Sequence, residues 1–194
     1  MARIVILAGP NGAGKSTAAP LLLRDTLSVD EFVNADTIAS GLSAFRPDRM
    51  GIAAGRLMLA RLKALAGQEK DFAFETTMAS RSFASWLPRL QREGWTVTVL
   101  FLWLPTAGLA VSRVAERVRM GGHDVPEETI RRRYARGLRN VFAIDRPLSD
   151  KWRLYDNSRA TPPRLLAEGR GAKTDRVVDE AVWRSIEEAH HGAP

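Results

Sequence analysis

Gly9-Pro10-Asn11-Gly12-Ala13-Gly14-Lys15-Ser16-Thr17 has the residue types and spacing that phosphate chemistry needs. It reads G-x-x-x-x-G-K-[ST], with Gly9, Gly14, Lys15 and Ser16 at the fixed positions. Glycines let backbone N–H groups converge on phosphate oxygens, and a helix N-terminus just beyond adds its positive end. Lys15 would then reach the β- and γ-phosphates of ATP, and the Ser16 hydroxyl would ligate Mg²⁺. The competing reading is a chance glycine-rich turn. The flanks argue against it: Arg3–Ala8 is a short apolar, β-branched run that reads as a buried strand, and residues 16–24 are rich in Ala and Leu and read as a helix. Without nucleotide, the Lys15 side chain is expected to face solvent.

Two acidic motifs follow. In Asn34-Ala35-Asp36, at the end of an expected second strand, the carboxylate of Asp36 can take a proton from an acceptor hydroxyl or help hold Mg²⁺. It reads equally well as a helix N-cap. Glu75-Thr76-Thr77 ends an expected third strand, where Glu75 can bind metal-bound water or an acceptor hydroxyl; the alternative is a capping cluster for the next helix. Arg81, in that helix's first turn, can reach an anionic acceptor, although alone it reads as solvated.

The densest signal is basic. Eight arginines lie between Arg113 and Arg139, interrupted by Gly121-Gly122-His123. Arginine forks suit phosphate oxygens. A glycine-broken helix pair of this kind, over about residues 113–139, predicts a lid that closes on a γ-phosphate and excludes water. Some of these arginines must belong to a solvated helix face, because Arg131, Arg132 and Arg133 cannot all face one site. His123 reads as a turn residue rather than a catalyst.

Strands and helices alternate along the chain. Further strands are expected at residues 31–35, 72–74, 95–104 and 152–155, with one more short strand at 165–167. Helices are expected at residues 47–67, 80–93 and 106–120, at a stretch opened by Pro126, and at 174–189. On the helix at 47–67, Ile52, Leu57, Met58, Leu62 and Leu65 suit one buried face. The pattern predicts an α/β P-loop NTPase fold of nucleotide-kinase type. It would have a mostly parallel five-stranded sheet, helices on both faces and a small helical lid. Ligands should bind at the strand C-terminal ends, where each polar motif falls.

Composition bounds the rest. At 194 residues, one domain over 1–194 is expected, and 45% hydrophobic content supports a core rather than disorder. The absence of cysteine excludes disulfides, thiolate nucleophiles and Cys-type zinc sites, and it fits a cytoplasmic location. No membrane partner is expected, since the apolar run at 97–104 is too short to span a bilayer. The net charge of +7 fits either nucleic acid or a site that handles several phosphates. Its concentration beside the expected lid favours phosphates. Trp86, Trp95, Trp103, Trp152 and Trp183 read as core, not as base-stacking platforms. No N-K-x-D guanine motif occurs, which argues against a GTPase switch.

Together the motifs resemble the zeta-toxin family of P-loop kinases. The matching features are G-P-N-G-A-G-K-S-T, N-A-D at Asn34 to Asp36, and F-E-T-T at Phe74 to Thr77. R-V-x-x-R-V at Arg113 to Val118 follows, then G-G-H-x-V-P at Gly121 to Pro126, the triple arginine with Tyr134, and Y-D-N-S at Tyr155 to Ser158. The resemblance implies a kinase that moves the ATP γ-phosphate to a small-molecule hydroxyl, with UDP-N-acetylglucosamine as the family's known acceptor and an antitoxin protein as a partner. It matches Asp36 to the general base and Arg119 and Arg132 to the paired phosphate-contacting arginines. Asn157 is expected among the ATP-binding residues, and Glu75, Thr76, Thr77 and Arg81 with Asp36 on the acceptor side. The chain is more compact than the longer toxins, which leaves the acceptor and toxicity open. The alternative is a polynucleotide or nucleoside kinase. Aromatic content of 7%, not interleaved with the basic cluster, weighs against nucleic acid.

Overall fold

The computed structural model describes residues 2–79, 83–159 and 162–191. Seven strands form one sheet in the order β2-β3-β1-β4-β5-β6-β7. β1 (Arg3–Ala8), β2 (Phe32–Val33), β3 (Phe72–Thr76), β4 (Thr96–Trp103) and β5 (Lys151–Asp156) run parallel. β6 (Arg164–Arg170) and β7 (Lys173–Val177) extend the edge antiparallel. The count is therefore seven strands rather than five. The expected helix at 174–189 begins only at Glu180, because Thr174 to Val177 pair with β6 across a tight turn at Gly171 (φ +52°). β-Branched Thr174 and Val177 suit that edge strand better than a helix.

Period-2 alternation packs both faces of the sheet. Ile4, Ile6, Phe72, Phe74, Val97 and Val99 point to one face, against Met58, Leu62 and Leu65 of α3 (Gly51–Gly67), Leu87 and Leu90 of α4 (Leu87–Arg92), and Trp183 and Ile186 of α8 (Glu180–His191). Val5, Leu7, Ala73, Leu100 and Leu102 point to the other. They meet Ala18 and Ala19 of α1 (Lys15–Ala19), Ala110 and Val114 of α5 (Ala107–Arg119) and Ile130 of α6 (Glu127–Asn140). Emptying such a site, as in Phe74→Ala, costs about 3–5 kcal/mol. On α3 the buried stripe is Ala54, Met58, Leu62 and Leu65; Ile52 and Leu57 lie off it and are exposed. Four tryptophans are buried, and Trp86 is packed against the core.

Three local features set up the functional end. α1 continues past Pro20 as a π-helical segment, Pro20–Asp25, since proline supplies no N–H for the regular ladder. β2 is shorter than expected because Asn34 caps a helix absent from the sequence reading, α2 (Ala35–Leu42). Of the expected helix at 80–93, residues 80–82 lie outside the described residues, residues 83–86 form a turn, and the regular part is α4. Past α6 the chain passes through another π-helical segment, Val141–Asp145, and the short α7 (Arg146–Leu148) before β5. No described helix is long and apolar enough to cross a membrane.

Candidate active site

β1 lies between β3 and β4, and the chain leaves it toward one side of the sheet and returns to the other, so the loop after β1 opens at the topological switch point. Residues 9–17 occupy that loop and the start of α1. Gly14, the residue before α1, has φ +76°, and a Cβ there would come within 2.7 Å of Asn157 Nδ2. Gly12 has φ +77°, and a Cβ there would meet the Ala110 carbonyl at 2.6 Å. Only glycine fits either place, so the loop is pressed against α5 and the end of β5. Asn157 Nδ2 donates to Ala13 O (2.7 Å), and Ala13 N donates to Pro10 O (3.1 Å), which fixes the loop's curvature.

Lys15 is not solvent-facing. It is buried, and its ammonium donates to Gly9 O and Pro10 O (both 2.9 Å), with Glu75 Oε1 at 3.6 Å. Burial draws its pKa below the ordinary lysine value; Glu75 and then Asp36 oppose this, and Arg117 adds to the lowering. Ser16 Oγ donates to Glu75 Oε2 (2.9 Å), and Asn34 Nδ2 donates to the same oxygen (2.8 Å). Asn34 therefore has two roles, because its Oδ1 also accepts from Asp36 N (2.7 Å) and Thr37 N (3.4 Å) to cap α2. The cap is Asn34, not Asp36. That leaves the Asp36 carboxylate exposed in the first turn, on the wall of the cavity that holds Lys15.

This cavity, of about 840 Å³, gathers Asn11, Lys15, Asp36, Glu75, Thr76 and Thr77 from the sheet end. Ala39 and Ala54 line it from α2 and α3, and His123, Arg132, Arg133 and Arg136 line it from the α5–α6 side. Past Thr77 the chain turns through Met78, which has φ +54°, with its N–H on Thr76 Oγ1 (3.1 Å) and its carbonyl accepting from Asn140 Nδ2 (2.6 Å). Such a conformation is strained for a residue with a side chain and is held here by bonds from both sides.

The arginines divide by helical position. Arg113 donates to the carbonyls of Asn157 (2.7 Å) and Ser158 (2.9 Å), tying α5 to the end of β5. Arg117, one turn on and on the same face, donates to His123 O (2.7 Å) and has its Nε buried without a partner. Gly122 lies against it: a Cβ there would meet Arg117 Cγ at 2.5 Å. Arg119 sits two positions beyond Arg117, about 200° around the helix, and is exposed outside the cavity lining. Arg113 lies closest to the loop, since a Cβ on Gly12 would meet its Cβ at 3.3 Å, and of Arg117 and Arg119 it is Arg117 whose charge acts on Lys15. The i, i+4 spacing of Arg113 and Arg117 was the available sequence signal. Thr17 is also exposed and off the cavity, and Arg81 lies outside the described residues.

The residues fit a nucleoside triphosphate with Mg²⁺. Arg117 Nε is a buried donor without a partner, and α1 presents free N-terminal N–H groups at the loop; both can meet phosphate oxygens, whereas the unpartnered Asn11 Oδ1 and Asn157 Oδ1 are acceptors and cannot. Ser16 and Glu75 offer the oxygen donors that Mg²⁺ takes alongside phosphate oxygens. Among the described residues there is no cluster of three or more His, Cys, Asp or Glu able to hold a metal alone.

A family model, AAA_33, described as an AAA domain, matches residues 4–137. A Haemophilus influenzae protein of uncharacterised function is 25% identical over 132 residues, covering 68% of this chain and 92% of its own. Among solved structures, the AvrRxo1-ORF1:AvrRxo1-ORF2 complex matches with a TM-score of 0.75 at 15% identity. That match covers 96% of this chain and 63% of the other, and a further structure of the pair, with ATP, matches at 0.73. The PezAT toxin–antitoxin system of Streptococcus pneumoniae matches with a TM-score of 0.66 at 13% identity, over all of this chain and 79% of the other. The chain shares the fold of these structures, a P-loop kinase fold. The chain spans less than two thirds of the AvrRxo1 chain it matches.

Proposed function

The chain belongs to the AAA_33 family of AAA domains, and from that premise we propose that it is an ATP-dependent small-molecule kinase. It transfers the γ-phosphate to a hydroxyl of its acceptor. The observation that carries this is that Lys15, Glu75 and Asp36 line one cavity, with Ser16 bonded to Glu75 beside it. In this reading the residue 9–17 loop and Asn157 hold ATP. Lys15 leaves its carbonyl partners for the β- and γ-phosphates, and Ser16 and Glu75 hold Mg²⁺, which neutralises phosphate charge. The α5–α6 segment, about residues 113–139, acts as a lid on a single domain. Arg117 and Arg132 bring cationic forks to the transferring group.

Asp36 orients the acceptor hydroxyl and takes its proton. The acceptor oxygen bonds to the γ-phosphorus, the bond to the β,γ-bridging oxygen breaks, and ADP leaves with that electron pair. Thr76 and Thr77 offer hydroxyls beside the acceptor. A nucleotide sugar such as UDP-N-acetylglucosamine is the first candidate, by the family resemblance. An antitoxin partner belongs to the same reading, since PezAT is a toxin–antitoxin system. A small acceptor is favoured over a polynucleotide because Arg132, Arg133 and Arg136 line the same cavity as Lys15 and Asp36.

The test is incubation with γ-labelled ATP, Mg²⁺ and a panel of nucleotide sugars, nucleosides, sugars and oligonucleotides, with Lys15→Ala as control. Label should appear on a small hydroxyl compound with wild type only. Label on oligonucleotides alone, or on nothing, contradicts the proposal.

A further inference from the structure

Thr129, Arg132, Arg133 and Arg136 of α6 all line the cavity, at i, i+3, i+4 and i+7, so they form one face of that helix. Arg131, off this face, is paired with Glu127 at 2.7 Å. Among the described residues Arg132 has one long hydrogen bond, to Thr129 Oγ1 at 3.5 Å, and Arg133 and Arg136 have no hydrogen bond or ion pair. Guanidinium groups that line a cavity without a partner in the chain are free to take an anion from outside it.

Position separates them. Gly137 packs so closely on the Thr77 carbonyl that a Cβ would come within 2.5 Å. Arg136, its neighbour, is therefore held where Thr76 and Thr77 line the cavity. Arg132 stands one turn, roughly 6 Å, nearer the start of α6 and the cavity-lining residues His123 to Pro126. The proposed function already assigns Arg132, Arg117 and Lys15 to the γ-phosphate. Arg133 and Arg136 remain. They are one helical turn apart, a separation that two forks can use to grip a tetrahedral, multiply charged group.

We propose that Arg133 and Arg136 form a second anion subsite, which holds a phosphate carried by the acceptor itself. The proposal rests on the phosphotransfer reading for the word acceptor, and it adds that a neutral sugar or nucleoside is not the substrate class. The acceptor's hydroxyl end points to Asp36, and its uncharged body lies along Ala35, Ala39 and Ala54.

Binding tests this apart from turnover. With Mg²⁺ and a non-hydrolysable ATP analogue saturating the phosphate loop, calorimetry compares uridine 5′-monophosphate with uridine and glucose 6-phosphate with glucose. An octathymidylate forms a separate arm. At least one phosphorylated compound should bind about tenfold or more tightly than its neutral twin. Arg133→Gln and Arg136→Gln should each erase most of that ratio while leaving affinity for the ATP analogue within about twofold. Equal affinities within both pairs, including no binding at all, would overturn the subsite, as would a preference that survives both substitutions. Octathymidylate binding more tightly than either monophosphate, through the same arginines, would overturn the small-acceptor assignment. Label transfer to a neutral acceptor contradicts the subsite but leaves the kinase reading intact. A phosphate preference without any label transfer does the reverse.

Discussion

Ser16 Oγ donates to Glu75 Oε2 across 2.9 Å, joining the first turn of α1 to the end of β3. The contact follows from strand order. β3 is parallel to β1, with Leu7 opposite Glu75 and Ala8 opposite Thr76, so the two strands deliver the phosphate loop and the carboxylate to the same edge. Asn34, from the end of β2, completes the group.

If this pair holds Mg²⁺, Glu75→Gln should raise the Mg²⁺ concentration for half-maximal turnover by about 10–100-fold, the usual cost of losing a metal-orienting partner. A magnesium titration at fixed ATP measures it. An unchanged requirement would move Glu75 to the acceptor.

Arg117 and Arg119 separate cleanly because only one faces the loop. Arg117→Gln should lower kcat by roughly tenfold to a thousandfold, with a smaller change in ATP affinity, because charge on the transferred group grows in the transition state. Arg119→Gln should stay within about twofold, as exposed substitutions usually do. Steady-state kinetics of both variants decide this; a large loss in Arg119→Gln alone would restore the pairing that the family resemblance suggests.

The phosphate loop, the parallel sheet and the acidic strand ends were all legible in the sequence, because each depends on local pattern. Arg3 to Ala8 ends in the continuous apolar run that a doubly buried strand requires, and the glycine spacing dictates the loop. What escaped depends on tertiary partners. α2 hides behind a capping asparagine, since a cap and a strand end look alike until the next helix packs. Arg119 came from the family resemblance, but facing is set by how α5 lies on the loop at Gly12 and Ala110. Lys15 looked solvent-facing because its two carbonyl acceptors, Gly9 and Pro10, converge only once the loop has curled. β7 was read as helix because its pairing with β6 is invisible without the turn at Gly171.

Asp145 gives a pH-dependent stability. It is buried, its Oδ2 has no partner, and burial pushes its pKa up to about 7 from 3.8. The folded state therefore binds this proton more tightly than the unfolded chain. The stabilisation is complete below about pH 3.8 and is lost as pH rises through about 7. Asp145→Asn stays neutral, so its Tm should gain on wild type between about pH 5 and 8, by roughly 2–4 °C for each kcal/mol recovered. Thermal melts across that range check it; a Tm difference that does not vary with pH would sink the idea.

The central claim is that Asp36 activates the acceptor hydroxyl. Asn34 already caps α2, so Asp36→Asn removes the charge without removing the cap. The decisive measurement is single-turnover transfer of γ-phosphate from labelled ATP to the acceptor found in the panel, with ATP affinity measured on the same protein. Asp36→Asn should keep ATP affinity within a few-fold and slow transfer by roughly 10²–10⁴. Transfer at the wild-type rate by folded, ATP-binding Asp36→Asn would contradict the account.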